Sequence, residues 1–164
     1  MTQPHRHSIL ASLAALVLVT GLASGCTAGD WRYDVPPAAG VVEDAGPVKA
    51  RNIMLLADDE GRGLLMGSLF TSQPVELEGV AVAGEQTDGS YVEPVDVSVT
   101  GELGTTEAFR FGGEDSIVEG AELRAGLLAA VVLQFSDGTS LTVETPVISS
   151  EDPAYAQTWD EAQS

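Results

Sequence analysis

The sequence predicts an all-β domain, an antiparallel β-sandwich of seven to eight short strands. Three observations predict it. From Val48 onward, short apolar runs recur between clusters of Gly, Asp and Ser, the spacing of strands and turns. Several runs alternate apolar and polar residues with period two, as a half-buried pleated strand does. No stretch sustains a 3.6-residue apolar period, so the elements read as strands joined by turns.

The runs can be taken in order. Lys49 to Ala57 contains Ile53-Met54-Leu55-Leu56, apolar on both faces, which suits a central strand. Asp58-Asp59-Glu60-Gly61 is a turn. Gly63 to Thr71 is a second strand, with Leu64, Leu65, Met66, Leu69 and Phe70. In Val75 to Val82, Val75, Leu77, Gly79 and Ala81 alternate with Glu76, Glu78, Val80 and Val82. Glu85 to Ser90 is a loop. Val95, Val97 and Val99 alternate with Asp96, Ser98 and Thr100. Phe109-Arg110-Phe111 is a short strand, Gly112 to Ser116 interrupts it, and Ile117 to Leu123 forms another. Ala129 to Phe135 and Leu141 to Val147 flank Ser136-Asp137-Gly138-Thr139, and Asp-Gly between apolar runs is the strongest short-range hairpin signal. Leu127 to Val132 imitates a helical run, but β-branched Val131-Val132 and the hairpin that follows favour a strand.

The flanks differ from this core. Residues 1–25 have the parts of a secretory signal: a weakly basic start (His5, Arg6, His7), an apolar stretch from Ile9 to Ala23, and small residues Ala23, Ser24 and Gly25 before Cys26. The stretch is shorter than the ~20 apolar residues a spanning helix needs. A signal ending on a cysteine is the pattern of a bacterial lipoprotein. Lipidation also consumes the only thiol of the chain, which would otherwise be reactive in an oxidising compartment. Cys26 is therefore the expected lipidation site, and the expected location is the extracytoplasmic face of the cell membrane. A diacylglyceryl group supplies the two acyl chains that stable anchoring requires.

Residues 26–47 are expected to form the lipidated N-terminus and a flexible tether, because Gly29, Pro36, Pro37, Gly40, Gly46 and Pro47 punctuate them without any apolar period. Trp31 and Tyr33 fit two places equally, the lipid headgroups or the surface of the domain. The β-sandwich spans 48–148. Residues 149–164 are acidic and mostly polar and are expected to be a flexible tail. Its Tyr155 and Trp159 are suited to docking on this domain or on a partner.

Composition excludes much chemistry. Cleavage before Cys26 leaves 139 of the 164 residues, with six basic against 25 acidic residues, a side-chain charge of −19. Such acidity argues against nucleic acid, which needs a basic footprint. It also argues against the domain lying on an anionic bilayer, and keeps an exposed domain soluble. Both histidines, His5 and His7, leave with the signal. Nucleophiles that depend on imidazole or thiol, zinc sites built from His or Cys, and haem on those ligands are then excluded. No phosphate-binding glycine loop is present. With so many carboxylates, acidic pairs arise by chance and mark no site, and Asp58-Asp59-Glu60 lacks the spacing of a calcium loop. The chain is expected to be no enzyme and to carry no cofactor. Met54 and Met66 are the remaining soft donors, the only metal candidates (thioethers take Cu(I)), although Met in an apolar strand is commonly a core filler.

The residues Leu123-Arg124-Ala125-Gly126, Val131-Val132-Leu133-Gln134-Phe135-Ser136-Asp137-Gly138 and Leu141-Thr142-Val143-Glu144-Thr145-Pro146-Val147 resemble the C-terminal half of the periplasmic copper chaperones called PCu(A)C. Leu64-Leu65-Met66-Gly67-Ser68-Leu69 and Leu77-Glu78-Gly79-Val80 resemble that family's early strands. With Arg51-Asn52 and the cysteine-ended signal, the chain resembles the actinobacterial LpqE-type lipoproteins, a divergent branch. The resemblance covers roughly residues 48–148 and implies a cupredoxin-like or immunoglobulin-like β-sandwich. The family's His and Met copper ligands do not carry over, and the loop for the second His reads Gly113-Glu114-Asp115-Ser116-Ile117-Val118. Met54 and Met66 lie upstream of that motif and are not its matches. The resemblance implies an accessory protein with a membrane-protein partner, a respiratory cytochrome bc–oxidase supercomplex. The alternative is a copper chaperone with a ligand set unlike the family's.

Overall fold

The computed structural model describes residues 40–164. Cys26, Trp31, Tyr33, the signal and most of the tether lie outside the described residues.

Ten strands make up the described part: β1 (Val41–Ala45), β2 (Val48–Ala57), β3 (Gly63–Thr71), β4 (Val75–Gly84), β5 (Val95–Val97), β6 (Gly101–Leu103), β7 (Phe109–Phe111), β8 (Ile117–Val118), β9 (Leu128–Phe135) and β10 (Ser140–Ser149). A helix, α1 (Ala156–Ala162), follows. The main path of the sheet runs β5-β4-β9-β10-β2-β3-β7, with β1 on β2, β6 on β4 and β8 on β3. Its ends approach each other, β5 lying near β8 and β6 near β3, so the sheet is nearly a closed barrel.

The all-β class is as predicted, but the pairing is not wholly antiparallel. Strand β10 changes partner along its length. Ser140 to Pro146 pair antiparallel with β9, and Val147 to Ser149 pair parallel with β2. Pro146 sits at the change, where its missing N–H is no loss to a continuing ladder. Beside it, the buried Thr145 hydroxyl donates to the Ile53 carbonyl and ties β10 to β2. Period-two patterning is the same for parallel and antiparallel strands, so the sequence carries no signal for this switch.

Two β-bulges set which side chains face inward. In β4 the register slips between Leu77 and Gly79. Val75 and Leu77 are therefore joined inside by Val80 and Val82, rather than by Gly79 and Ala81 as unbroken alternation predicts. In β2 the slip falls between Arg51 and Met54, and Asn52 takes φ +57°. Asn tolerates the left-handed region better than most residues. Its Oδ1 accepts from the Gly40 N–H at 3.2 Å. A Cβ at Gly40 would stand 2.4 Å from the Asn52 carbonyl carbon, so only glycine permits this approach.

Strand β1 replaces the last part of the tether that the sequence predicts as far as Pro47. Val41 to Ala45 pair with β2, and Val41 and Ala45 pack on the core, while Val42, Glu43 and Asp44 are exposed. A five-residue edge strand with three outward positions shows too little apolar period to be seen between Gly40 and Pro47.

The core lies inside the curled sheet. Ile53, Leu55, Leu65, Leu69, Leu77, Val82, Val131, Leu133 and Val143 are all but inaccessible. Each such side chain contributes about 1.5–3 kcal/mol by leaving water. Strand β2 is apolar on both faces, as predicted, because its outer face is also covered. Met54 and Leu56 point away from the barrel interior and lie under α1.

The tail predicted to be flexible supplies that cover. A turn precedes the helix: Asp152 Oδ1 accepts from the Ala154 N–H at 2.9 Å, and its carbonyl accepts from Ala156. Tyr155 just before α1, and Trp159 and Ala162 within it, fall on one side at helical spacing and pack with Met54, Leu56, Leu64, Met66, Ile117 and Ile148. Seven residues make no stable helix in isolation, so this one exists through its contacts. Among the described residues no helix is long and apolar enough to cross a membrane.

Candidate functional site

Met54 and Met66, twelve positions apart across the β2–β3 turn, become direct cross-strand partners. The row beside them is Leu56 opposite Leu64, with Ile117 next to Leu64. Met54 is fully buried and Met66 is partly so. Tyr155 and Trp159 close over this strip from α1. The two thioethers are thus brought together, but inside a packed apolar layer.

Arg62 fastens the helix to the sheet. Its Nε donates to Asp58 Oδ2 at 3.1 Å, its Nη2 donates to Gln163 Oε1 at 2.6 Å, and its guanidinium lies 5.7 Å from the Trp159 ring centre. Cation–π contact and a charge-assisted hydrogen bond act on the same planar group. Asp58 is itself fixed in the β2–β3 turn, accepting from the Glu60 and Arg62 N–H groups. The Asp58-Asp59-Glu60 segment is therefore the turn predicted, and its first carboxylate is engaged in holding that turn and Arg62.

Between this turn and α1 lies an open, shallow groove of about 420 Å³, with Asp59, Glu60, Glu151 and Asp160 at its rim and Arg62 and Trp159 in its wall. A smaller depression of about 210 Å³ lies behind the turn, against Glu119, Gly120 and Glu122. Among the described residues no group of three or more His, Cys, Asp or Glu is arranged to hold a metal ion. Three carboxylates are held below the usual range, each by a local hydrogen bond. For Asp44 the donor is the Arg51 side chain, for Asp88 it is Ser90, and for Asp137 it is the Thr139 backbone N–H. Tyr91 is shifted up, first by burial and then by its hydrogen bond to Glu144. None of these is the raised carboxyl that a general acid requires.

The residue that sequence reasoning underrated is Arg62. A lone basic residue after an acidic turn carries no signal until α1 folds back to meet it. The spacing of Tyr155, Trp159 and Ala162 was a visible signal, but a two-turn helix is hard to tell from a polar tail.

No protein-family model matches the chain, and no curated protein matches it. Several solved structures are similar, two PCuAC domains among them. One is described as the apo PCuAC domain from PmoF1, at 16% identity with a TM-score of 0.46, covering 66% of this chain and 99% of that one. The other is described as the copper-bound PCuAC domain from PmoF2, at 18% identity with a TM-score of 0.39, covering 66% and 98%. Such values assign this chain neither a family nor a ligand.

Proposed function

We propose that the chain is a non-enzymatic binding protein, attached through lipid on Cys26 to the extracytoplasmic face of a membrane, where it engages a membrane protein. One observation carries the non-enzymatic part. The grooves on either side of the β2–β3 turn are open, and the carboxylates with lowered pKa values serve turns and an ion pair. Small-molecule sites are enclosed clefts with a few convergent polar groups. An open surface of this kind suits a macromolecular partner. The lipid anchor rests on the cysteine-ended signal alone. A respiratory supercomplex as partner rests on the LpqE-type resemblance alone.

The test is purification from native membranes in mild detergent. Co-migration with one membrane protein in fixed proportion is expected, and a chain that always runs alone overturns the partner. Mass spectrometry of the N-terminus is expected to find a diacylglyceryl-modified Cys26; an unmodified thiol overturns the anchor.

The second reading is a Cu(I) carrier, favoured by the juxtaposition of Met54 and Met66. Two thioethers suit a soft monovalent ion. Loading them requires α1 to move, since Met54 is inaccessible beneath it. Cu(I) competition titration of the native chain against the Met54→Leu, Met66→Leu double variant decides this reading.

A further inference from the structure

Net charge hides how charges are placed. The chain has 25 acidic and seven basic residues, yet three of the seven, Lys49, Arg51 and Arg110, fall on the outer face of β2, β3 and β7. The register puts them there. Lys49 lies between Asp44 of β1 and Phe70 of β3. Arg51 lies opposite Ser68, and Ser68 opposite Arg110. Their neighbours Val48, Ala50, Leu69 and Phe111 point into the core, so alternation turns these side chains outward. Lys49 and Arg110 are exposed, and Phe70 beside them is 45% exposed. The acids of β1 beside these rows are Asp44, paired with Arg51, and the exposed Glu43. Helix α1 packs on the Met54–Met66 and Leu56–Leu64 rows, and among the described residues the cationic half of the face stays exposed at Lys49, Phe70 and Arg110.

The chain also enters at this face. Gly40 is hydrogen-bonded to Asn52, the neighbour of Arg51. Cys26 lies 14 residues before Gly40, a span of at most about 50 Å when extended.

We propose that this half-face docks on anionic lipid headgroups and turns the tethered domain so that β1, β2, β3 and β7 face the bilayer. The proposal rests on attachment through Cys26. Basic residues near an anionic leaflet are attracted to it, and an exposed apolar ring such as Phe70 gains by burial at the headgroup–acyl boundary. At physiological salt the interaction fades over about 8 Å, so carboxylates on the far side of the domain weigh little against cations at the contact. The tether holds the face near the surface, where even weak docking is populated. Net acidity, taken as a single number, predicts the opposite.

The chain contains its own reporters, because Lys49 is its only lysine and Cys26 its only cysteine. The mature chain from Cys26 is coupled through that thiol to maleimide lipids, in phosphatidylcholine vesicles with and without phosphatidylglycerol. This tether is independent of natural lipidation, so a failed anchor and a failed docking face give different results. Acetylation of Lys49 is followed by peptide mass spectrometry. Labelling is expected to slow by about thirtyfold on the anionic vesicles, the factor for roughly two cations acting at a surface. High salt, or the exposed-site double variant Arg110→Gln, Phe70→Ser, is expected to restore the rate. Equal rates on the two vesicles overturn the proposal and leave the face to an acidic protein. Slowing that ignores the double variant overturns it as well.

Discussion

Met54 and Met66 oppose each other across β2 and β3, and a seven-residue helix closes over both. The pair is at once the only soft-donor arrangement among the described residues and part of the packing that holds the tail. Replacing both by Leu conserves volume and is expected to cost less than about 1.5 kcal/mol per site. Met54→Ala is expected to cost about 2–5 kcal/mol, because the site is fully buried. Urea denaturation measures both. In a Cu(I) competition titration, equal affinity for the native chain and the double Leu variant would end the copper reading.

Removing Trp159 tests whether α1 is integral to the domain. Trp159→Ala strips the aromatic lid from the methionine strip and removes the ring beneath Arg62. The side chain is only partly buried, so a loss of about 2–3 kcal/mol is expected, at or below the low end for buried aromatics. Hydrogen exchange is expected to speed up at Leu64 and Ile117. Unchanged exchange there would mean that the helix protects nothing.

Thr145→Val isolates the bond that ties β10 to β2. The substitution keeps shape but leaves the buried Ile53 carbonyl without the Thr145 hydroxyl. A cost of about 1–3 kcal/mol is expected. A variant as stable as the native chain would show that the carbonyl finds another partner.

Asn52 and Gly40 are expected to differ sharply in tolerance. Asn52→Gly keeps the left-handed conformation within reach and should cost little beyond the lost hydrogen bond, about 1 kcal/mol. Gly40→Val places a side chain against the Asn52 backbone and is expected to detach β1, exposing the Val48 and Ala50 amides to exchange. Native-like protection of those amides would contradict this.

Asp137 links the β9–β10 hairpin to pH. Its Oδ1 accepts from the Thr139 N–H at 2.8 Å, and its folded pKa lies below the ordinary 3.8. The sign follows from that direction. The ionised form is favoured in the folded state, so its contribution is complete above the unfolded pKa and is lost as pH falls through the lower folded value. The Thr139 amide resonance is expected to titrate below pH 3.8, and Asp137→Asn to abolish that titration. A midpoint above 3.8 would reverse the assignment.

The sequence by itself determined what local chemistry determines. Gly63–Thr71 and Phe109–Phe111 begin and end where their patterns do. The Asp137-Gly138 turn joins β9 to β10. The apolar run at Ile53 to Leu56 announced a strand buried on both faces, and it is one. Side-chain alternation and turn residues act over a few positions, so they are legible in one dimension.

The tertiary structure decided everything that depends on who lies beside whom. It made Val41–Ala45 a strand by giving it β2 to pair with, and paired the end of β10 in parallel with β2. It folded the acidic tail into the cover of Met54 and Met66. It also gathered Lys49, Arg51 and Arg110 on one face, against a net charge that predicts no such patch. The physical reason is common to all four. Register and docking are long-range contacts whose free energy comes from burial and pairing between segments distant in the chain, and neither periodicity nor composition records which segments those are.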